Sequence, residues 1–203
     1  MEQMADLGNG NYAFIDREVE AERVLVKNIS GTIMTIAKDA KIQVTINSER
    51  VERYRLLGYE NRDISDDDFR NDAVDAGELG AGHTVTAFIE LELKTDVPAA
   101  DEVGLAKVVV RYQAGQTHSE AREQLQVVGL GQVLGHWQDA SAAYRFGAAV
   151  AEFAEILRAS EHSDGARFDD IIEIAGAAVD DTDIHQVEFL RLVQSARDLW
   201  SGR

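Results

Sequence analysis

The sequence predicts an α+β fold: an antiparallel β-sandwich-like domain over residues 38–130, preceded by a strand and a helix within residues 1–37 and followed by a helical region over residues 136–203. Three observations predict it. Apolar and polar residues alternate through the middle of the chain, the period of a half-buried strand. No segment of helical period separates those strands, which favours an antiparallel arrangement over parallel βαβ units. From about residue 139 the apolar residues recur every three or four positions, as on a helix with one buried face.

Taken in order, Leu7-Gly8-Asn9-Gly10-Asn11 is a turn cluster, and Tyr12-Ala13-Phe14-Ile15 has the pattern of a short buried strand. Residues 17–37 read as a helix through Ala21, Val24, Leu25, Ile29, Ile33 and Ile36, with Gly31 weakening its middle. Ile42, Val44 and Ile46 begin the strands, and Tyr54, Leu56 and Gly58 continue them. The clearest strand is His83 to Lys94, with Val85, Ala87, Ile89 and Leu91 on one face. Leu105 to Tyr112 is another, and Glu120 to Val128 a weaker one. Three helical stripes follow: Phe146, Val150, Phe153, Leu157; then Phe168, Ile171, Ile172, Ala175, Val179; then Phe189, Leu192, Val193, Ala196, Trp200. Thr182 or Asp183 stands where the third helix needs a cap. Phe146, Val150, Phe153, Phe189, Val193 and Trp200 are the expected core.

Composition narrows the function classes. A formal charge of −17 argues against nucleic acid and against anionic membrane surfaces, because both are bound by Lys and Arg. With no cysteine, disulfides, thiol catalysis and cysteine-bound zinc are excluded. The first twenty residues lack the basic start and apolar run of a signal peptide. The apolar runs fall short of the roughly 20 residues a membrane span needs, so no membrane insertion by this chain is expected.

Residues 63–78 are the most acidic stretch, with Asp63, Asp66, Asp67, Asp68, Asp72, Asp75 and Glu78. Calcium needs several oxygen ligands at a disciplined spacing. Counting from Asp66, Arg70 falls where the fifth-position ligand belongs, so the stretch reads first as a solvated loop. A calcium site using Asp66, Asp68 and Asp72 is the alternative. Glycines flank the same stretch, and Glu60, Asn61, Arg62, Asp75 and Glu78 read as a hydrogen-bonded polar corner. Gly129-Leu130-Gly131-Gln132-Val133-Leu134-Gly135 faintly suggests a dinucleotide turn, but no strand follows its helix, so a linker is expected and no cofactor. The five histidines lack metal spacing, and neither a nucleophile elbow nor a Walker loop occurs. No catalytic residue is assigned.

Several stretches resemble bacterial proteins of the von Willebrand factor type A (VWA) family that carry a Ca-activated chloride channel-like label and an uncharacterised C-terminal region. Met1 to Asp6 and Gly8 to Asp16 look like the end of a VWA domain, and Thr35 to Val44 like the entry to the region after it. Tyr54-Arg55-Leu56-Leu57-Gly58-Tyr59-Glu60-Asn61-Arg62 and Asp75 to Val85 are the most specific stretches. Phe146 to Leu157 and Glu188 to Val193 match the helical tail. The resemblance spans nearly the whole chain. It implies that residues 1–37 are the last strand and helix of a VWA domain, and that the setting is the cell envelope, periplasmic or extracellular. It also implies a divalent metal, Mg or Ca, on an Asp-x-Ser-x-Ser site. No such motif occurs here, so that site is expected upstream, with no cofactor in this chain.

Together these readings point to a non-enzymatic protein-interaction or scaffolding module with a protein partner. A calcium-dependent adhesion module using loop 63–78 is the alternative. A strand at 12–15 without neighbours is a sticky edge, so self-association through residues 1–37 is expected.

Overall fold

The computed structural model describes residues 13–27, 34–58, 64–74, 76–95, 104–115, 119–163 and 167–200. The fold is α+β, with antiparallel strands in the middle and helices at the C-terminal end. By contact the chain divides into two compact units. One holds residues 1–51, 61–86 and 96–129; the other holds 52–60, 87–95 and 130–203.

The first unit is built on a four-stranded sheet. Its strands are β1 (Thr35–Ile46), β3 (Gly77–Gly80), β5 (Ala106–Ala114) and β6 (Ala121–Val128), in the order β3-β1-β5-β6. β1 pairs antiparallel with both β3 and β5, and β5 with β6. A bulge interrupts β1 between Lys38 and Lys41, where Asp39 takes a φ of 49°. Lys38 stands opposite Gln113 and Lys41 opposite Arg111. Gln113 and Arg111 lie two apart and share a face, so the bulge puts Lys38 and Lys41 on that face although three positions separate them. At the start of β5, a Cβ on Gly104 would lie 2.5 Å from Val127 Cγ1 and 2.9 Å from the Val128 carbonyl, so only glycine fits.

The second unit pairs β2 (Val51–Leu57) with β4 (Phe88–Leu93) and adds α2 (Ala142–Leu157), α3 (Phe168–Gly176) and α4 (Ile184–Trp200). The first unit also holds a short helix, α1 (Glu18–Glu22). Ser141 caps α2 by accepting from the Tyr144 amide at 3.2 Å. Asp183 caps α4, as expected, by accepting from the His185 amide at 2.9 Å. Ala149, Phe153, Ile156, Ile171, Ala175 and Val193 form the helical core. Edge-to-face rings knit it together: Phe146–Phe189 at 5.3 Å, Phe153–Phe189 at 5.6 Å and Phe153–Phe168 at 6.2 Å.

Several expectations need correction. Ala13–Ile15 form no strand and are exposed, Phe14 at 73%, while Tyr12 lies outside the described residues. Of the helix expected over 17–37, Glu18–Glu22 form α1 and Arg23–Lys27 a π-helical turn, while Ile29, Gly31 and Ile33 lie outside the described residues. Ile36 belongs to β1, where a 12-residue strand with two neighbours outweighs a weak helical repeat. The strand from His83 begins only at Phe88, and Val85 is half exposed. Gly77–Gly80, which includes Glu78 of the expected polar corner, is a strand. Val150 and Trp200 are 40% and 42% exposed. On α2 the buried line runs through Ala149, Phe153 and Ile156, which leaves Val150 and Leu157 at its margin. Phe146 and Phe189 are partly buried against the core, and the Trp200 ring meets Phe168 edge-on at 5.8 Å.

Phe153 touches rings from α3 and α4, so Phe153→Ala is expected to cost about 3–5 kcal/mol in chemical denaturation. Val150→Ala should cost well under half as much, because Val150 sits at the edge of the stripe.

Candidate functional site

In the first unit the acidic stretch is bound to the sheet. A 3-10 turn at Asp66–Asp68 leads into Phe69, which is only 2% exposed and anchors the segment. Lys41 is buried at 4% exposed, and its ammonium donates to the Asn71 carbonyl at 2.7 Å and to the Asp68 carbonyl at 3.5 Å. Such an ammonium is tolerable in the interior because backbone oxygens replace its water. Gln43 donates to Asp66 at 3.1 Å. Arg111 binds Asp72 at 2.8 Å and Glu123 at 3.2 Å, and Arg70 grips both oxygens of Glu123 at 2.9 and 3.0 Å. The Arg70 hydrogen bonds hold the Glu123 carboxyl below its ordinary range, with Arg111 adding to them.

The residues singled out from sequence are therefore dispersed. Asp66 faces Gln43, and Asp72 faces Arg111. Asp68 accepts from Asn71 at 2.9 Å and Ser65 at 2.8 Å, which lowers its pKa and marks it as a turn cap. Glu78 lies 3.5 Å from Lys38 and accepts from Thr35 at 3.5 Å. Glu60, Asn61, Arg62 and Asp75 lie outside the described residues. Among the described residues, no three His, Asp or Glu side chains converge as metal ligands do.

The second unit holds a charge cluster that sequence reasoning missed. Arg53 pairs with Glu92, and Arg55 with Glu90. As one number rises the other falls, which is antiparallel pairing, and these side chains share one face of the β2–β4 ribbon. From that face Arg55 reaches Glu155 of α2 at 2.7 Å. Glu155 is 2% exposed and also binds Arg158 and Ser160. Burial alone would raise the Glu155 pKa, but these partners hold it below the ordinary glutamate value. Glu152, one turn earlier, has no such partner in its favour to the same degree: burial pushes its carboxyl up, Arg55 counters, and Glu155 and Glu90 add to the rise. Beside the cluster, the Phe88 ring stacks edge-on to Tyr144 at 5.6 Å. It lies so close to Gly147 that a Cβ there would meet it at 2.9 Å.

The other face of the ribbon is mostly apolar. By alternation it carries Glu52, Tyr54 and Leu56 from β2 with Ile89, Leu91 and Leu93 from β4. Tyr54 is 64% exposed, Leu56 41% and Leu93 36%. The site is thus a strand ribbon pinned by a buried ion pair on one side and presenting apolar side chains on the other.

A family described as "Uncharacterized protein YfbK, C-terminal" matches residues 31–199. The chain belongs to that family. The YfbK protein of Escherichia coli strain K12, described as uncharacterized, is 33% identical over 214 residues. That similarity covers 97% of this chain and 36% of the relative, so the chain spans about a third of the relative's length. No solved structure matches.

The signal for the charge cluster was present as Arg53 and Arg55 in one strand with Glu90 and Glu92 in another. Glu155→Gln removes one charge-assisted partner of Arg55 and is expected to cost about 1.5–3 kcal/mol at pH 7. Because the folded pKa of Glu155 is depressed, its stabilisation is present above the ordinary glutamate pKa and fades as pH falls through the folded value. The gap between wild type and variant should therefore close in acid. Glu152→Gln has the opposite sign: the folded pKa is raised, so the variant should gain stability over wild type as pH rises through it. Urea midpoints against pH check both.

Proposed function

We propose that this chain is a non-enzymatic interaction or scaffolding module that accompanies a VWA domain in the bacterial cell envelope. The supporting observation is the apolar face of the β2–β4 ribbon. Tyr54, Leu56 and Leu93 stay exposed on a ribbon whose opposite face is held by Arg55 and Glu155. An exposed tyrosine on a rigid support is the kind of side chain enriched at interface centres. The occupant is the part of the longer protein that this chain does not span. The length of the E. coli relative beyond the matched third supports that choice, and so does the resemblance of residues 1–16 to the end of a VWA domain. The VWA metal, Mg or Ca, belongs to that other part. No helix among the described residues is long and apolar enough to cross a membrane.

The test uses the E. coli relative divided into its matched region and the remainder, with both pieces and this chain produced separately. The remainder should bind the matched region and, more weakly, this chain by calorimetry. Tyr54→Glu in this chain should weaken binding about tenfold or more, equivalent to about 1.4 kcal/mol. Binding untouched by Tyr54→Glu, or absent at about 1 mM, contradicts the reading. Stoichiometric calcium binding by this chain alone, lost on replacing Asp66 and Asp68, would favour a calcium-dependent adhesion module instead.

A further inference from the structure

The four-stranded sheet has two unlike edges. β3 is four residues long and pairs with β1 through two register shifts, between Thr35 and Ala37 and between Ala37 and Ala40. Short, irregular edges of this kind resist further pairing. β6 is the opposite case. It has eight residues, pairs with β5 in unbroken register, and carries six consecutive exposed positions from Arg122 to Val127. It contains neither proline nor lysine, and Leu125 and Val127 are 63% and 41% exposed on one face. Its only charges are Arg122 and Glu123, and Glu123 is already held by Arg70 and Arg111. Among the described residues no bulge and no further strand blunts this edge.

We infer that β6 pairs antiparallel with β6 of a second copy of this chain, with Leu125 facing Leu125 across a two-fold axis, so that two sheets join into one. In such a pair, residues opposite one another point the same way, so their numbers are of equal parity and the axis passes through a residue. An axis at Arg122 or Glu123 sets like charges directly opposite, which is unfavourable. An axis at Leu125 sets Glu123 opposite Val127, Gln124 opposite Gln126, and the two leucines together. No like charges meet, the exposed apolar pair on β6 is covered, and the glutamines can bond to one another on the other face. A single strand edge is a small interface, so the dimer is expected to be concentration-dependent rather than permanent. The surface shares no residue with the β2–β4 ribbon.

The experiment uses the full chain. Because the sequence contains no cysteine, Leu125→Cys introduces a single thiol. It should form a covalent dimer on mild oxidation or with a short bismaleimide. Glu123→Cys should not, because its counterpart lies four residues further along the ladder, on the order of 13 Å away. Wild type should sediment as a monomer–dimer equilibrium. Leu125→Lys and Leu125→Glu should each be monomeric with unchanged circular dichroism, and mixing the two should restore the dimer. Three results overturn the inference: wild type monomeric at about 1 mM, cross-linking of the Glu123→Cys variant as efficient as that of Leu125→Cys, or a dimer that survives Leu125→Lys. The last would place association elsewhere, for instance at the exposed Phe14, Leu25 and Val26.

Discussion

A two-stranded ribbon does not hold its shape in water without something to pack against. In the second unit that support is the Glu155 carboxylate. Buried in the last turn of α2, it is shared by Arg55 from the ribbon and by Arg158 just past the end of its own helix. A lone carboxylate at 2% exposure would be driven to take up a proton, but two guanidinium groups and Ser160 keep it charged. Arg55 in turn holds Glu90, so one network sets both the pairing of β2 with β4 and the attachment of β2 to the helix. The alternation of strand side chains does the rest. Once the arginines face α2, Tyr54, Leu56, Ile89, Leu91 and Leu93 must face away from it. The exposed apolar surface follows from where the charges are tied.

The first unit uses charge in a related way. Lys41 lies on the polar face of β1, yet it is far more buried than Ile42 next to it, at 4% against 52%. Segment 64–74 covers that face, with Phe69 inserted, carbonyls of Asp68 and Asn71 on the ammonium, and Asp72 on Arg111. Asp72 is answered by Arg111, while Asp66 and Asp68 are held by uncharged donors. The bulge at Asp39 matters because it sets Lys38 and Lys41 on one side, where each meets an oxygen acceptor.

The α+β class and the three C-terminal helices were legible because a buried stripe repeats within each element. The Asp183 cap was legible for the same local reason. The placement of faces was not. Alternation in β1 says that its faces differ, but the covering of the Lys41 face comes from residues about thirty positions away. β3 was hidden because Gly77-Glu78-Leu79-Gly80 has turn composition, and only pairing with β1 makes it a strand. Among the candidate site residues, Asp66, Asp68 and Asp72 were found as a group. Their separate partners, Gln43, Asn71 with Ser65, and Arg111, depend on the sheet beneath them. Glu155 resembles any solvated helix carboxylate in sequence, and its role appears only when Arg55 is brought to it.

The most direct test of the account is amide hydrogen exchange along the YfbK protein of E. coli, measured in the intact protein and in its matched C-terminal region alone. If the apolar face of the ribbon docks onto the rest of the chain, exchange in the segments aligned with β2 and β4 should be slower in the intact protein, with the helical core unchanged. Equal exchange of those two segments in both forms would mean that the face stays open and that the ribbon is not the interaction surface.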